Sequence, residues 1–273
     1  MLLVVDGSIP TGAGGAYSTI AGESNLALLA RSIEAAEVVI AVGTCAAFGG
    51  LPAAAPNPTG AMAVGELVER GLISRRPLIN VPGCPPIPVV LSAVLVHLVA
   101  FGRGPELDEL GRPRAFYGNT IHDRCSRRGF FEEGLFARTF DDEGARNDWC
   151  LLELGCKGPI TRNACAMLKW NDGVSNPIES GHPCLGCSEP RFWGQGSFYR
   201  PLAPEALDDT AANGAAIYDG NCVYCHSADP ARLKTPPEQV PALLRSGTVR
   251  AHGFELGEDQ LRALVNYLKE HRR

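Results

Sequence analysis

The chain has 273 residues, of which 45% are hydrophobic and 20% charged, so it is long enough for two or three domains and is not globally disordered. Its net charge of −5 argues against nucleic acid as a main partner. The longest apolar run, residues 87–101, is interrupted by Pro88, Ser92 and His97, so no membrane span is expected in this chain. Neither a secretory nor a twin-arginine signal is visible, and the sequence starts directly with the apolar run MLLVV.

Residues 1–110 alternate between predicted strands and predicted helices. Short apolar runs predict strands at 2–5, 38–42 and 78–81, and helical apolar spacing predicts helices at 26–36, 64–70 and 89–101. Buried-type strands that alternate with helices indicate a parallel sheet with helices on both faces. The sequence therefore predicts an α/β domain whose ligands bind beyond the carboxyl ends of the strands.

Two cysteines follow predicted strands of this sheet. Cys45 and Cys84 come directly after the second and third strands, each in a loop bounded by Gly or Pro. Because such loops meet at one edge of a parallel sheet, the two thiols suit a single metal centre. A buried free cysteine is the plainer interpretation of either thiol alone, and it stays open.

Six of the ten cysteines lie with His122 in residues 122–187, a stretch rich in Gly, Pro, Asn and Arg. It shows little helical or strand periodicity, so it cannot bury much apolar surface by itself. Metal–thiolate bonds supply folding free energy where a core cannot. Disulfides are the alternative, but Cys184 and Cys187 are only two residues apart, and His122 precedes Cys125 at ligand spacing. We interpret the segment as a site of iron–sulfur ligation.

Several motifs resemble those of the nickel–iron hydrogenase small subunit. They are VVDGSIPTGAGGAY, AVGTCAAFGG, NVPGCPPIP, HDRCSRRGFFEEG, LGCKGP and GHPCLGCSEPRFW. The resemblance covers residues 2 to about 195. It implies a flavodoxin-like domain over residues 1–110 and a loop-rich iron–sulfur domain over residues 111–200. A complex I-type subunit shares the sheet domain but should lack the ligands of the second region.

The resemblance implies that Cys45 and Cys84 are two ligands of a proximal 4Fe–4S cluster. In the family a first strand and a CxxC loop supply the other two ligands; this sequence lacks both, so the flavodoxin-like domain is expected to be incomplete. A start assigned too late, a missing part on another chain, and a remnant protein all stay open. Gly50 stands where oxygen-tolerant members carry an extra cysteine, which implies a standard, oxygen-sensitive cluster.

The resemblance also implies two clusters in the second region. A distal 4Fe–4S cluster would be held by one imidazole and three thiolates: His122, Cys125, Cys150 and Cys156. A medial cluster would be held by three thiolates: Cys165, Cys184 and Cys187. Pro177 stands where a fourth cysteine is expected, so a 3Fe–4S cluster is implied for the medial site. An imidazole in place of a thiolate makes the distal cluster less negative and raises its potential.

Four other polar residues near these ligands have two interpretations each. Arg124, Arg127 and Arg128 surround His122. They are either a solvated face or groups that stabilise an anionic cluster and guide an electron partner. His182 is interpreted as a structural hydrogen-bonding residue rather than as a ligand.

The last part of the chain predicts a separate unit. Residues 201–212 form a linker rich in Pro, Ala and acidic residues, and residues 213–273 contain Cys222-Val-Tyr-Cys225-His226, the c-type haem attachment spacing. Both thiols would form thioether bonds to the porphyrin, and His226 would be the proximal ligand. A short helix with Gly214 and Tyr218 before the motif and an amphipathic helix at 261–268 resemble a small all-α cytochrome c domain. A chance match and half of a zinc site are the alternatives.

The sixth ligand of this haem c is not the usual methionine, because no methionine follows the motif. Our hypothesis is that His252 is the distal ligand, which would give a bis-histidine haem of low potential. A five-coordinate haem with His252 on the surface is the alternative.

Together these features predict the electron-transfer small subunit of a periplasmic uptake nickel–iron hydrogenase. The catalytic centre would lie on a large subunit, so no catalytic residue is expected in this chain. Electrons would pass through the clusters to the fused haem, where a redox acceptor would dock. Covalent haem indicates the periplasm, with the export signal outside this sequence. An electron-transfer module without hydrogenase activity and a hydrogen-sensing subunit are the alternatives.

Overall fold

The computed structural model describes residues 1–194, 197–202, 214, 217, 218, 222, 230–245, 256 and 258–271. The described residues contain seven strands: β1 (Leu2–Asp6), β2 (Ile9–Pro10), β3 (Thr19–Ile20), β4 (Glu23–Ser24), β5 (Val38–Val42), β6 (Ala61–Met62) and β7 (Leu78–Val81). The α-helices of the first region are α1 (Asn25–Ile33), α2 (Gly43–Phe48), α3 (Val64–Glu69) and α4 (Pro88–Phe101). Short 3₁₀ turns lie at Gly12–Gly15 and Leu51–Ala53.

The three predicted strands form one parallel sheet, in the order β1–β5–β7. Val4 pairs with Ile40, and Ile40 pairs with Ile79. The two-residue ladders β2–β6 and β3–β4 are antiparallel and lie outside this sheet. The prediction of a parallel α/β sheet is confirmed.

Side chains of β5 alternate between two apolar cores, as the two-residue period of a strand requires. Val39 and Ala41 belong to a core that includes residues of α1 and α3, namely Leu29, Ile33, Val64 and Leu67. Ile40 and Val42 belong to a second core that includes residues of α4, namely Val90, Val94 and Leu98. Helices therefore cover both faces of the sheet, as the sequence predicted.

The long helices begin and end at residues suited to those positions. Ser24 precedes α1, and its Oγ accepts the Ala27 N–H at 3.2 Å. Pro88 opens α4, where the missing N–H costs nothing. Gly102 ends α4 at a left-handed φ of 63°, with its N–H donating to the Leu98 carbonyl.

The described residues after position 110 and up to 194 contain only short helical turns. These are α5 (Arg114–Tyr117), α6 (Arg128–Glu132), α7 (Glu143–Arg146) and α8 (Cys165–Leu168), with 3₁₀ turns at His122–Arg124, Leu152–Leu154, Gly158–Ile160 and Phe192–Gly194. A small core of Ile121, Ala137, Leu151, Leu154, Cys156 and Ile178 lies among them. The expected scarcity of regular structure is confirmed.

The described residues of the C-terminal part form a fourth core. The elements of this part are α9 (Val240–Arg245), α10 (Glu258–Glu270) and the 3₁₀ turns Pro230–Arg232 and Pro237–Gln239. Gly214 lies so close to α10 that a Cβ there would overlap the Ala263 carbonyl oxygen. Tyr218 is fully buried in this core with Leu264 and Leu268. The predicted amphipathic helix at 261–268 is confirmed as part of α10.

Among the residues that the structure describes, no helix combines the length and apolar character needed to cross a bilayer.

Candidate functional site

The loops that follow β5 and β7 are tied together at the carboxyl edge of the sheet. The Thr44 N–H donates to the Gly83 carbonyl at 3.0 Å, and the Gly83 N–H donates to Thr44 Oγ1 at 2.9 Å. This pairing brings Cys45 near Cys84: burial raises the pKa of the Cys45 thiol, and a charge on Cys84 raises it further. One detail of the prediction is wrong, since Cys45 lies on the helical turn α2 rather than in a loop.

Gly50 leaves no room for a side chain beside Cys45. It has a φ of +60°, and a Cβ built on it would overlap Cys45 Sγ. A residue with a side chain at position 50 would therefore force the Cys45 thiol to move. This crowding is compatible with the expectation of a site that uses no cysteine at position 50.

A cavity of about 490 Å³ lies between the sheet edge and the second region. Its wall includes all three predicted medial ligands together with Cys84, and also Trp170, Pro177 and His182: the thiols are Cys84, Cys165, Cys184 and Cys187. Burial raises the pKa of the Cys187 thiol, and the nearby backbone of Cys84 lowers it. Cys84 thus faces both its predicted partner Cys45 and the predicted medial group, which the sequence did not indicate.

A second cavity is lined by all four predicted distal ligands, His122, Cys125, Cys150 and Cys156. The His122 side chain lies on a 3₁₀ turn and packs edge-on against Phe131, with ring centroids 4.6 Å apart. His122 is only 8% exposed, and burial followed by the Arg128 charge lowers its pKa to about 4. The imidazole is therefore neutral at pH 7, which is the form that binds a metal.

Backbone N–H groups point at several of these sulfur atoms. At 3.4 Å, Arg127 N–H donates to Cys125 Sγ, and Gly158 N–H donates to Cys156 Sγ. At the same distance, Cys184 N–H also donates to Cys156 Sγ, and Gly186 N–H donates to Cys184 Sγ. Hydrogen bonds to sulfur of this kind tune the potential of iron–sulfur clusters.

The chemistry of the donor set fits a cluster. Burial raises the pKa of the six thiols predicted as medial and distal ligands, that of Cys150 to about 12, so these bare thiols stay protonated at neutral pH. Iron supplies the positive charge that a buried thiolate needs. No disulfide joins any two of the nine cysteines that the structure describes. In the same residues no three His, Cys, Asp or Glu side chains converge closely enough to hold a single metal ion.

Arg127 is a buried residue whose role the sequence left open. Its side chain is 4% exposed; Nε donates to the Ile178 carbonyl and Nη1 to the Trp149 carbonyl, both at 2.9 Å. Nη2 pairs with the Asp148 carboxylate at 2.7 Å. The interpretation of Arg127 as part of a solvated face is wrong, because its side chain is buried and bonded to Ile178, Trp149 and Asp148. No sequence signal separates it from its neighbouring arginines.

His182 has the structural role that the sequence predicted. Its Nδ1–H donates to the Pro183 carbonyl at 2.9 Å, so Nε2 is the acceptor for the Tyr199 hydroxyl at 3.2 Å. Both ring nitrogens are thus used in holding the loop before Cys184.

The predicted haem residues lie almost entirely outside the described residues. Cys225, His226 and His252 are outside them. Cys222 is described: its N–H donates to the Tyr218 carbonyl at 2.8 Å, and its side chain packs against the C-terminal core.

Comparisons with known proteins match both regions around these cavities. The family model for the C-terminal part of the NiFe/NiFeSe hydrogenase small subunit matches residues 117–200, and the model for the 20 Kd subunit of NADH ubiquinone oxidoreductase matches residues 1–98. The uptake hydrogenase small subunit of Rhizobium leguminosarum bv. viciae is 43% identical over 249 residues, which cover 88% of this chain and 68% of that protein. The chain belongs to the nickel–iron hydrogenase small subunit family.

Solved structures and a second relative agree with this family assignment. The NiFeSe hydrogenase of Dm. baculatum matches with a TM-score of 0.66 and 35% identity, over 74% of this chain and 76% of that chain. The actinobacterial-type NiFe hydrogenase of Ralstonia eutropha H16 matches with a TM-score of 0.65 and 27% identity, over 93% and 71%. The hydrogenase-1 small chain of Escherichia coli strain K12 is 48% identical over 198 residues, 72% of this chain. The chain spans about half the length of that relative, 52%.

Proposed function

We propose that this chain is the electron-transfer small subunit of an uptake nickel–iron hydrogenase, with the nickel–iron site on a separate large subunit. The observation that carries the proposal is that two groups of ligands, inferred separately from the sequence, each line one cavity. Iron–sulfur clusters bound there would exchange single electrons at potentials set by charge and hydrogen bonding.

Each ligand group has a proposed cluster. Cys165, Cys184 and Cys187 would hold a medial 3Fe–4S cluster, since Pro177 rather than a fourth cysteine of that segment lines the cavity. The distal 4Fe–4S cluster would be held by His122, Cys125, Cys150 and Cys156. Cys45 and Cys84 would supply two ligands of a proximal 4Fe–4S cluster.

Hydrogen bonds give these three groups an order. Thr44, the residue before Cys45, donates its hydroxyl to the Cys187 carbonyl, which connects the proximal group to the medial group. Cys184 N–H meets Cys156 Sγ at 3.4 Å, which connects the medial group to the distal group. Direct contacts between successive ligand groups support a proximal–medial–distal sequence of electron carriers.

The proposal continues into a C-terminal cytochrome c domain over residues 213–273. Cys222 and Cys225 would attach haem c, with His226 as the proximal and His252 as the distal ligand. The close contact of Gly214 with α10 and the burial of Cys222 against the same core support a small helical domain around the motif. A redox acceptor would dock at this haem, and covalent haem attachment supports a periplasmic location.

Metal content tests the proposal. The full chain is purified without oxygen, together with any subunit that accompanies it, and analysed for iron, sulfide, nickel and covalent haem. The medial and distal sites predict about seven non-haem irons per chain, and hydrogen should reduce the haem. A Cys184→Ser variant should lose the medial iron alone.

Two results would contradict this function. Far fewer than about seven non-haem irons per chain would show that the medial and distal clusters are not both present. A full iron content with no nickel-containing partner and no hydrogen-dependent reduction would favour an electron-transfer module without hydrogenase activity.

A further inference from the structure

Lys157 lies between the two cavities. It follows the distal ligand Cys156, and its own N–H donates to the carbonyl of the medial ligand Cys184 at 2.8 Å. Its side chain runs over Gly186, in the turn between Cys184 and Cys187. A Cβ built on Gly186 would lie 3.4 Å from Lys157 Cβ and 3.6 Å from its Cγ. The aliphatic part of Lys157 thus packs against the turn between two proposed medial ligands and directly follows a proposed distal ligand.

The ammonium group of Lys157 is held away from water. Lys157 is 7% exposed, and Nζ donates to the Gly155 carbonyl at 3.0 Å and also to the Arg200 carbonyl. Within the described parts of the chain, no carboxylate forms an ion pair with it. Its hydrogen-bond acceptors are neutral, so they orient the ammonium without cancelling its charge.

The charges that Lys157 faces belong to both ligand groups. Burial lowers the pKa of Lys157, negative charge on Cys156 and on Cys184, one from each ligand group, raises it, and the Arg200 charge lowers it. A buried positive charge is screened much less than a surface one. Because reduction adds a negative charge to a cluster, a nearby cation stabilises the reduced state more than the oxidised state.

We propose that Lys157 is a fixed positive charge, shared by the medial and distal sites, that raises the reduction potentials of both clusters. This inference rests on the proposed function, since it requires clusters at the two sites. The segment 197–202 takes part through the Arg200 carbonyl, which holds the ammonium in place. Gly155 allows the approach of that segment, because a Cβ there would overlap the Tyr199 backbone.

Potentiometric titration followed by electron paramagnetic resonance tests the proposal on the anaerobic full chain with its accompanying subunits. Lys157→Met keeps the length of the side chain and removes its charge, and Lys157→Gln keeps a hydrogen-bond donor. Both should lower the reduction equilibrium constant of the medial and distal clusters at least tenfold, which is about 59 mV for one electron.

Two control variants define the effect of charge. Lys157→Arg keeps the positive charge, so the reduction equilibrium constants of both clusters should change less than threefold. Arg138→Met removes a positive charge whose side chain is 75% exposed, so water already screens it and the same small change is expected.

The outcomes separate this inference from the proposed function. Wild-type protein without cluster signals would overturn both. Normal wild-type signals with unshifted potentials in Lys157→Met and Lys157→Gln would overturn only the role of Lys157. Loss of iron from both neutral variants, with Lys157→Arg intact, would also overturn it, because the lysine would then serve cluster assembly rather than potential.

Discussion

The sheet region and the cysteine-rich region bury their interiors by different means. β5 lies between β1 and β7 and sends alternate side chains into two apolar cores. The second region has helical turns of three to five residues among its described positions, and its segments are joined by buried polar contacts such as those of Arg127. A sheet with two apolar cores can hold its shape unaided, whereas thiols that line a cavity need a ligand.

Removal of the clusters should produce the largest contrast between the regions. After anaerobic chelation, backbone amides of residues 117–194 should lose at least about 1,000-fold of their protection from hydrogen exchange, roughly 4 kcal/mol of local stability. Amides of β5 should change less than about threefold, because β5 is paired with β1 and β7 of the sheet and not with cluster ligands. Hydrogen exchange followed by mass spectrometry measures both, and reconstitution with iron and sulfide should restore the second region. Equal losses in both regions would contradict the comparison.

A cavity in the sheet core should act only on the first region. Ile33 of α1 is 1% exposed in the core that contains only residues of the first region, so Ile33→Ala should cost about 2–5 kcal/mol of unfolding free energy. The loss should be the same with and without clusters, because this packing does not use iron. Val4→Ala is the matched control: Val4 is 47% exposed on β1, and the cost should stay below about 1 kcal/mol. Denaturant unfolding distinguishes these results.

Acid should weaken the second region through His122. Its pKa is 6.5 when unfolded and about 4 when folded, so the unfolded chain takes up the proton first as the pH falls. The stability from the neutral imidazole is complete above pH 6.5 and is lost towards pH 4, by roughly 3 kcal/mol. Iron ligation acts in the same direction, because a bound imidazole must be neutral.

A His122→Gln variant provides the comparison for this pH dependence. Unfolding is measured between pH 7 and pH 4.5 in the wild type and in His122→Gln. The difference in unfolding free energy between the two proteins should shrink as the pH falls. A pH-independent difference would contradict this, because it would show that His122 has the same pKa in the folded and unfolded states.

The smallest expected change in stability is at Thr44, where the sheet region contacts the cysteine-rich region. Thr44 Oγ1 accepts the Gly83 N–H at 2.9 Å and donates to the Cys187 carbonyl. Thr44→Val keeps the shape but leaves a buried donor and a buried acceptor unpaired, which should cost about 1–3 kcal/mol. Thr139→Val removes an exposed hydroxyl and should cost less than about 0.5 kcal/mol. Thermal unfolding of both variants decides whether the regions are coupled here.

Local patterns were sufficient for the sheet region. The strands at 38–42 and 78–81 have the bounds that their apolar runs predicted, and the helix predicted at 89–101 begins one residue earlier, at Pro88. These elements are determined by the periodicity of apolar residues and by Gly and Pro at their ends. Both signals are local, because they involve residues that are neighbours in the sequence. The family resemblance, confirmed by the comparisons, likewise grouped the cysteines around two cavities.

The positions of individual polar side chains were decided only by the tertiary structure. The letters RCSRR around Ser126 do not tell which arginine is buried, and only the fold brings Ile178 and Trp149 to Arg127. In the same way, Lys157 gains its buried position from Gly186 and Arg200, which are 29 and 43 residues away. Burial and charge environment depend on contacts between distant segments, and no local spacing in a sequence encodes such contacts.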